Sequence, residues 1–297
     1  MAYLGSPELV AAVSEAGGLG ILGTGNGPPD WVREQIRLVR LLTDRPFGVN
    51  ILLMSPLADQ VVNAVIDEEV PAVTTGGGDP GRYIASIRAS GARVAPVVSS
   101  VAAAMRLEDL GVDALIAEGM ESGGHVGEVT TMALVPQVVD SVSVPVVAAG
   151  GIADGRGLVA ALALGAQAVQ MGTRFVCAQE CIAHPGFKQR VVEADGGAAV
   201  LVGRSTGHPA RCLENELTRL MAAKEKANEP VDQYFGSGRL YAGVIEGRIE
   251  EGFLMAGQIA GLVRDILPAR EIIEAIMAEA GQVVAGFHLH TRQGGQR

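Results

Sequence analysis

Two glycine turns carry the strongest chemical signal in this sequence. In VVAAGGIADGRG (146–157) an apolar run ends in Gly150 and Gly151, and a helix begins near Asp154. In AVQMGTRF (168–175) a second run ends in Gly172 and Thr173. Glycine lets backbone N–H groups approach an anion near a helix N-terminus, where the helix dipole also favours negative charge. Alone, either turn reads equally well as a tight corner. Consecutive and on one face, they match the way a barrel holds phosphate in the loops after its last two strands.

A third motif, AEGMESGGHVGEVTT (117–131), places His125 among Gly119, Gly123, Gly124 and Gly127. Little side-chain mass surrounds this histidine, so an ordinary core role is disfavoured. At the end of a strand an imidazole can hydrogen-bond or protonate a substrate, or simply brace its own turn. Glu118 and Glu121 precede it, and either could orient the ring or solvate the loop. Asn50 interrupts the apolar run PFGVNILL (46–53); its amide must bond the backbone or a polar ligand edge. Gln258 lies in MAGQIAGL (255–262), where small residues allow either close packing or ligand approach. Cys177, Cys181 and His184 would share a helical face, but three ligands followed by Pro185 make a poor metal site, and buried free thiols are expected. HLH at 288–290 is taken as incidental.

A βα series must position these groups. Nearly all-apolar runs at 18–23, 47–52, 70–74, 92–97, 114–117, 145–149 and 168–171 read as strands buried on both faces, hence parallel. Helices are expected at 7–15, 30–42, 57–68, 81–90, 100–110, 132–139 and 155–164. Right-handed crossovers then give an open doubly wound sheet or a closed barrel. Seven strands are visible where a (β/α)₈ barrel needs eight. From about residue 176 the rhythm changes. A lobe is expected over 176–250, with a charged helical stretch at 209–226. The chain returns to the barrel over 251–280, with a helix near 269–280, and residues 281–297 form a polar tail.

Composition sets limits. The chain has 297 residues, 48% of them hydrophobic and 19% charged, with 40 glycines. A chain of this length buries a sizeable core without a metal or disulfide. The net charge of −10 disfavours nucleic acid, whose affinity comes from Lys and Arg on phosphates. Three cysteines match no disulfide framework, so a reducing, cytoplasmic setting is expected. No signal peptide or membrane span is expected.

Together GGLGILG (17–23), PFGVN (46–50), AEGMESGGHVGEVTTMALVPQV (117–138), PVVAAGGIADGRG (145–157), AVQMGTRFV (168–176), AHP (183–185) and MAGQIAGL (255–262) resemble the flavin-dependent enoyl-acyl-carrier-protein reductase II family. That family belongs to the nitronate monooxygenase (2-nitropropane dioxygenase-like) superfamily. The resemblance runs from Met1 to about Ala280. It implies an α/β TIM (β/α)₈ barrel holding FMN, with a smaller lobe inserted after the last strand. It places a further strand ahead of Met1, so the barrel is expected to lack its first strand. It assigns FMN phosphate to Gly150, Gly151, Gly172 and Thr173, and the flavin surroundings to Met1, Ala2, Asn50 and Gln258. Glu118 is counted with this cofactor-binding set, and His125 becomes the catalytic residue.

The implied reaction has NAD(P)H reduce FMN, which then reduces a trans-2-enoyl thioester in fatty acid synthesis. A monovalent cation and a homodimer are further features left open. The alternative is a nitronate monooxygenase using O₂ and no NAD(P)H; EGMESGGHVG favours the reductase. A third reading is a flavin- or phosphate-binding protein without catalysis. Acyl carrier protein is acidic, as is this chain, so docking would need a basic patch. Lys188, Arg190, Arg204 and Arg211 are the candidates.

Overall fold

The computed structural model describes residues 1–236 and 238–287. The HLH stretch at 288–290 and the rest of the tail beyond it lie outside the described residues. Ten strands are present among the described residues: β1 (Gly20–Gly23), β2 (Phe47–Leu52), β3 (Ala72–Gly76), β4 (Arg93–Val98), β5 (Leu115–Glu118), β6 (Gly124–His125), β7 (Val146–Ala149), β8 (Ala168–Gln170), β9 (Ala199–Val202) and β10 (Ala210–Leu213). Twelve α-helices accompany them: α1 (Pro7–Glu15), α2 (Pro29–Leu42), α3 (Ala58–Asp67), α4 (Gly81–Ala89), α5 (Val101–Asp109), α6 (Thr131–Val139), α7 (Gly155–Ala163), α8 (Thr173–Val176), α9 (Pro185–Val192), α10 (Glu216–Lys226), α11 (Arg239–Val244) and α12 (Ala269–Ala285).

Seven strands form one parallel sheet in the order β1-β2-β3-β4-β5-β7-β8. With helices alternating outside, this is a TIM barrel in which seven parallel strands are present among the described residues. Among the described residues no strand joins β8 to β1. The helical layer nevertheless closes there, because α12 packs against both α7 and α1. That approach needs glycine: a Cβ on Gly155 would lie 2.3 Å from the Ala280 nitrogen. The helix runs to Ala285, past the Ala280 expected from sequence.

Side-chain alternation decides what faces the ligand. Val49, Ile51, Val73, Val94, Leu115, Ala117, Val146 and Ala148 share one buried cluster with helix residues such as Val32, Ile36, Val61, Ile84 and Leu134. These strand residues therefore point outward to the helices. Successive strand residues face opposite sides. Asn50, Thr74, Glu118 and Gln170 accordingly point into the barrel, and Gly76 and Ala149 keep the rim small.

A second core joins α1, α9 and α12 through Leu9, Val176, Phe187, Leu254 and Ile272. Residues 176–192 therefore pack with barrel helices. The lobe's own core is smaller: Val202, Cys212, Leu217, Met221, Val231 and Phe253. It carries an antiparallel sheet, β6-β10-β9. The helix expected over 209–226 is thus corrected. Residues 210–213 form a strand, and α10 starts only at Glu216, where Asn215 and Thr218 cap each other reciprocally. Cys177, Cys181 and Cys212 are buried free thiols. Among the described residues no helix is long and apolar enough to cross a membrane.

Candidate active site

Strands β7 and β8 are parallel neighbours, with Ala149 opposite Gln170. The turns that follow them therefore lie side by side at the same end of the barrel. Gly150 (φ 84°) and Gly151 (φ 72°) both take left-handed backbone, which only glycine adopts cheaply. The N–H groups of Gly150, Gly151 and Gly172 find no acceptor among the described residues. Backbone donors are seldom left unpaired, so this cradle fits an oxyanion.

The cradle differs from the expected helix N-terminus in one respect. The first amides of α7 are already satisfied: Asp154 accepts from Gly157 N at 3.1 Å and Glu279 from Gly155 N at 2.7 Å. The donors left over belong to the turns. The Arg174 guanidinium, next to this turn in sequence, is spent on the Asp265 carboxylate at 2.6 Å and its carbonyl at 3.1 Å. Thr173 Oγ1 accepts from Gly257 N at 2.9 Å, which leaves its own hydrogen free to donate.

The remaining predicted residues gather at the same end. Met1 and Ala2 lie over the end of β1, where a Cβ on Gly23 would meet the Met1 carbonyl at 2.5 Å, and Met1 reaches the Gly172 turn. Asn50 takes a side-chain partner where sequence left open the backbone or a ligand edge. Its Nδ2 donates to the Thr74 hydroxyl at 2.8 Å, while Oδ1 keeps accepting capacity. Glu118 closes β5; burial pushes its carboxyl up to about 7. Gln258 is exposed, and its amide donates to the Glu121 carbonyl at 3.0 Å. Backbones meet closely here, since a Cβ on Gly123 would lie 2.7 Å from Ala256. The 255–262 stretch thus braces the histidine segment.

His125 sits in β6, opposite Ala210 of β10. It belongs to a strand of the lobe sheet, where sequence suggested a loop. Part of the residue faces solvent, but crowding of the imidazole lowers its pKa below the ordinary 6.5. Burial is the largest cause; the His208 ring adds to it, and nearby carbonyls oppose it. Glu121 does not orient the ring. Its carboxylate accepts from Thr131 N (2.9 Å) and Thr131 Oγ1 (2.9 Å), and Thr131 Oγ1 also lies 2.9 Å from the Gly150 carbonyl. Glu121 thus ties the start of α6 to the phosphate-type turn.

Sequence reading missed Thr74 and Gln170. The missed signal was the one used for Asn50, a polar residue at an inward strand position. The proposed basic patch is corrected. Lys188 is buried with its ammonium on the Ala178 carbonyl (2.7 Å). Arg211 is buried and donates to the Met120 carbonyl (3.0 Å). Arg190 pairs with Glu250 at 2.8 Å. Of the four, Arg204 alone has an exposed side chain without such a commitment.

The family model described as nitronate monooxygenase matches residues 1–63 and 54–279. FabK from Thermotoga maritima is 50% identical, with TM-score 0.93, covering 96% of this chain and 92% of that one. A (3aS,4S,5R,7aS)-5-hydroxy-7a-methyl-1-oxo-octahydro-1H-indene-4-carboxyl-CoA dehydrogenase from Mycobacterium tuberculosis is 32% identical over 94% of this chain and 91% of its own. A nitronate monooxygenase from Paraburkholderia phytofirmans is 32% identical over 96% of this chain and 91% of its own. With its glycine cradle and imidazole at one barrel mouth, the chain belongs to the nitronate monooxygenase family and is a flavin-dependent oxidoreductase.

Proposed function

We propose that this protein is an FMN-dependent reductase of trans-2-enoyl thioesters that draws its electrons from NAD(P)H. The observation that carries the reading is the convergence at one mouth of unpaired turn amides, inward polar side chains and His125. Half identity to FabK, an enoyl-acyl-carrier-protein reductase II, supports it, and a relative acting on a carboxyl-CoA compound supports a thioester substrate. Gly150, Gly151, Gly172 and Thr173 would hold the FMN phosphate through neutral donors. Met1, Ala2, Asn50, Glu118 and Gln258 would surround the ring system. Bound FMN supplies two-electron transfer between the nicotinamide and the enoyl group.

The chain's own part is binding and proton handling. His125 in its charged form gives a proton to the substrate α-carbon and regains one from solvent. Of the four basic candidates for docking acyl carrier protein only Arg204 remains uncommitted, so a coenzyme A thioester serves as the assay substrate. His125→Ala should retain FMN and lower kcat about 100-fold; unchanged turnover overturns the role. A nitronate monooxygenase activity is the second reading, favoured by the relatives of that name. It predicts oxygen consumption with an alkyl nitronate and none of the NAD(P)H dependence.

A further inference from the structure

The inserted lobe does more than flank the barrel. Two of its side chains, from separate segments, pack beside the His125 ring. His208 meets it edge-on, with centroids 6.5 Å apart and planes at 83°. Phe235 lies against it at 6.3 Å with a 35° tilt. Phe235 is itself backed by Phe253, stacked at 5.2 Å and 13°, and Phe253 is buried in the lobe core. The His208 turn is equally anchored. His208 directly follows the turn Arg204–Thr206, which is flanked by Gly203 and Gly207, both in left-handed backbone, and its N–H donates to Thr206 Oγ1 at 3.1 Å. The Glu225 carboxylate of α10 accepts from Gly203 N at 3.1 Å, Ser205 N at 2.9 Å and Ser205 Oγ at 2.9 Å. Below, β10 pairs with the His125 backbone.

We propose that His208 and Phe235 are positioning residues that clamp the His125 imidazole in one orientation, so that the lobe completes the active site. This rests on the proton-delivering role of His125 given above. The two-residue strand is fixed by its backbone pairing with β10, and the His208 and Pro209 carbonyls lie beside the imidazole; the ring contacts add a constraint on the orientation of its plane. Its own neighbours Gly123 and Gly124 offer no side chain, whereas edge and tilted ring contacts have preferred geometries. A general acid displaced by about 1 Å loses rate while substrate binding persists.

The test has two arms on the FMN-loaded full chain. Imidazole NMR of wild type, with His125 assigned through His125→Gln, reads the contact without turnover. Phe235→Leu should shift the His125 ring signals by removal of a ring current, and Phe235→Tyr should restore them. In the kinetic arm, with NADPH and crotonoyl-coenzyme A, Phe235→Leu and His208→Gly should lower kcat about tenfold to a hundredfold with KM changed less than about twofold. Phe235→Tyr should recover most of the rate, and Glu225→Gln, which frees the His208 turn, should lower kcat while Phe235 stays. Unchanged His125 signals in Phe235→Leu, or unchanged kcat in both clamp variants while His125→Ala is impaired, overturns the clamp. Unchanged kcat in His125→Ala overturns the reductase role instead, and the NMR arm still decides the contact. Thermal midpoints and flavin content of each variant separate misfolding from mispositioning: a rate lost only in step with flavin content counts against the clamp.

Discussion

Glu118 points into the barrel at the end of β5, and burial holds its carboxyl near 7 against an ordinary 4.5. The folded state therefore prefers the protonated acid. Its contribution is complete below pH 4.5 and is lost as pH rises through about 7, worth on the order of 3 kcal/mol across that range. Glu118→Gln keeps a neutral side chain at every pH. In FMN-free protein it should raise Tm relative to wild type at pH 8 and leave it nearly unchanged at pH 4; an equal effect at both removes the burial argument. The pKa of His125 is shifted in the opposite direction, lowered chiefly by burial. Its pKa lies below 6.5, so proton delivery weakens as pH rises. kcat should fall between pH 6 and 8 in wild type and lose that slope in His125→Gln. A flat wild-type profile would make the imidazole only a hydrogen-bond donor.

The β7 and β8 turns test the glycine cradle at the level of elements. Gly150 and Gly151 share left-handed backbone, but their surroundings differ. A Cβ on Gly150 would lie 2.7 Å from the Gly119 carbonyl, whereas one on Gly151 would meet only the Glu121 side chain at 3.4 Å. Strain of about 1–3 kcal/mol applies to both; the clash applies to one. Gly150→Ala should therefore cost more stability and more FMN affinity than Gly151→Ala, read by thermal melts and flavin fluorescence titration. The reverse order would mean that the cradle is shaped otherwise.

Strands β1 to β5, β7 and β8 were legible because parallel strands buried on both faces read as apolar runs, with ends shifted by one or two residues. The lobe sheet was not. β6 is two residues long, and ARCL of β10 runs into the helical ELTRLM with Arg211 seeming to belong to it. Charge alone also misled at Lys188 and Arg211, since a sequence does not reveal which carbonyls will take a buried cation. The glycine turns and His125 were legible as residue types, but not the partner strand that holds the histidine.

At the scale of the molecule, no strand among the described residues joins β8 to β1 while the helices close around the sheet, with Met1 and Ala2 lying over the end of β1. A ligand bound at that mouth touches both sides of the gap and should stabilise the fold. FMN at about 100 times its Kd adds roughly 2.7 kcal/mol, seen as a Tm rise that grows with FMN concentration. A Tm that stays unmoved over the FMN titration would mean that the folded protein does not bind the nucleotide. The most direct measurement of function is anaerobic NAD(P)H oxidation by the FMN-loaded protein on addition of crotonoyl-coenzyme A. Stoichiometric formation of the saturated thioester is the result predicted here. No turnover with the thioester, together with oxygen uptake on an alkyl nitronate, would contradict it.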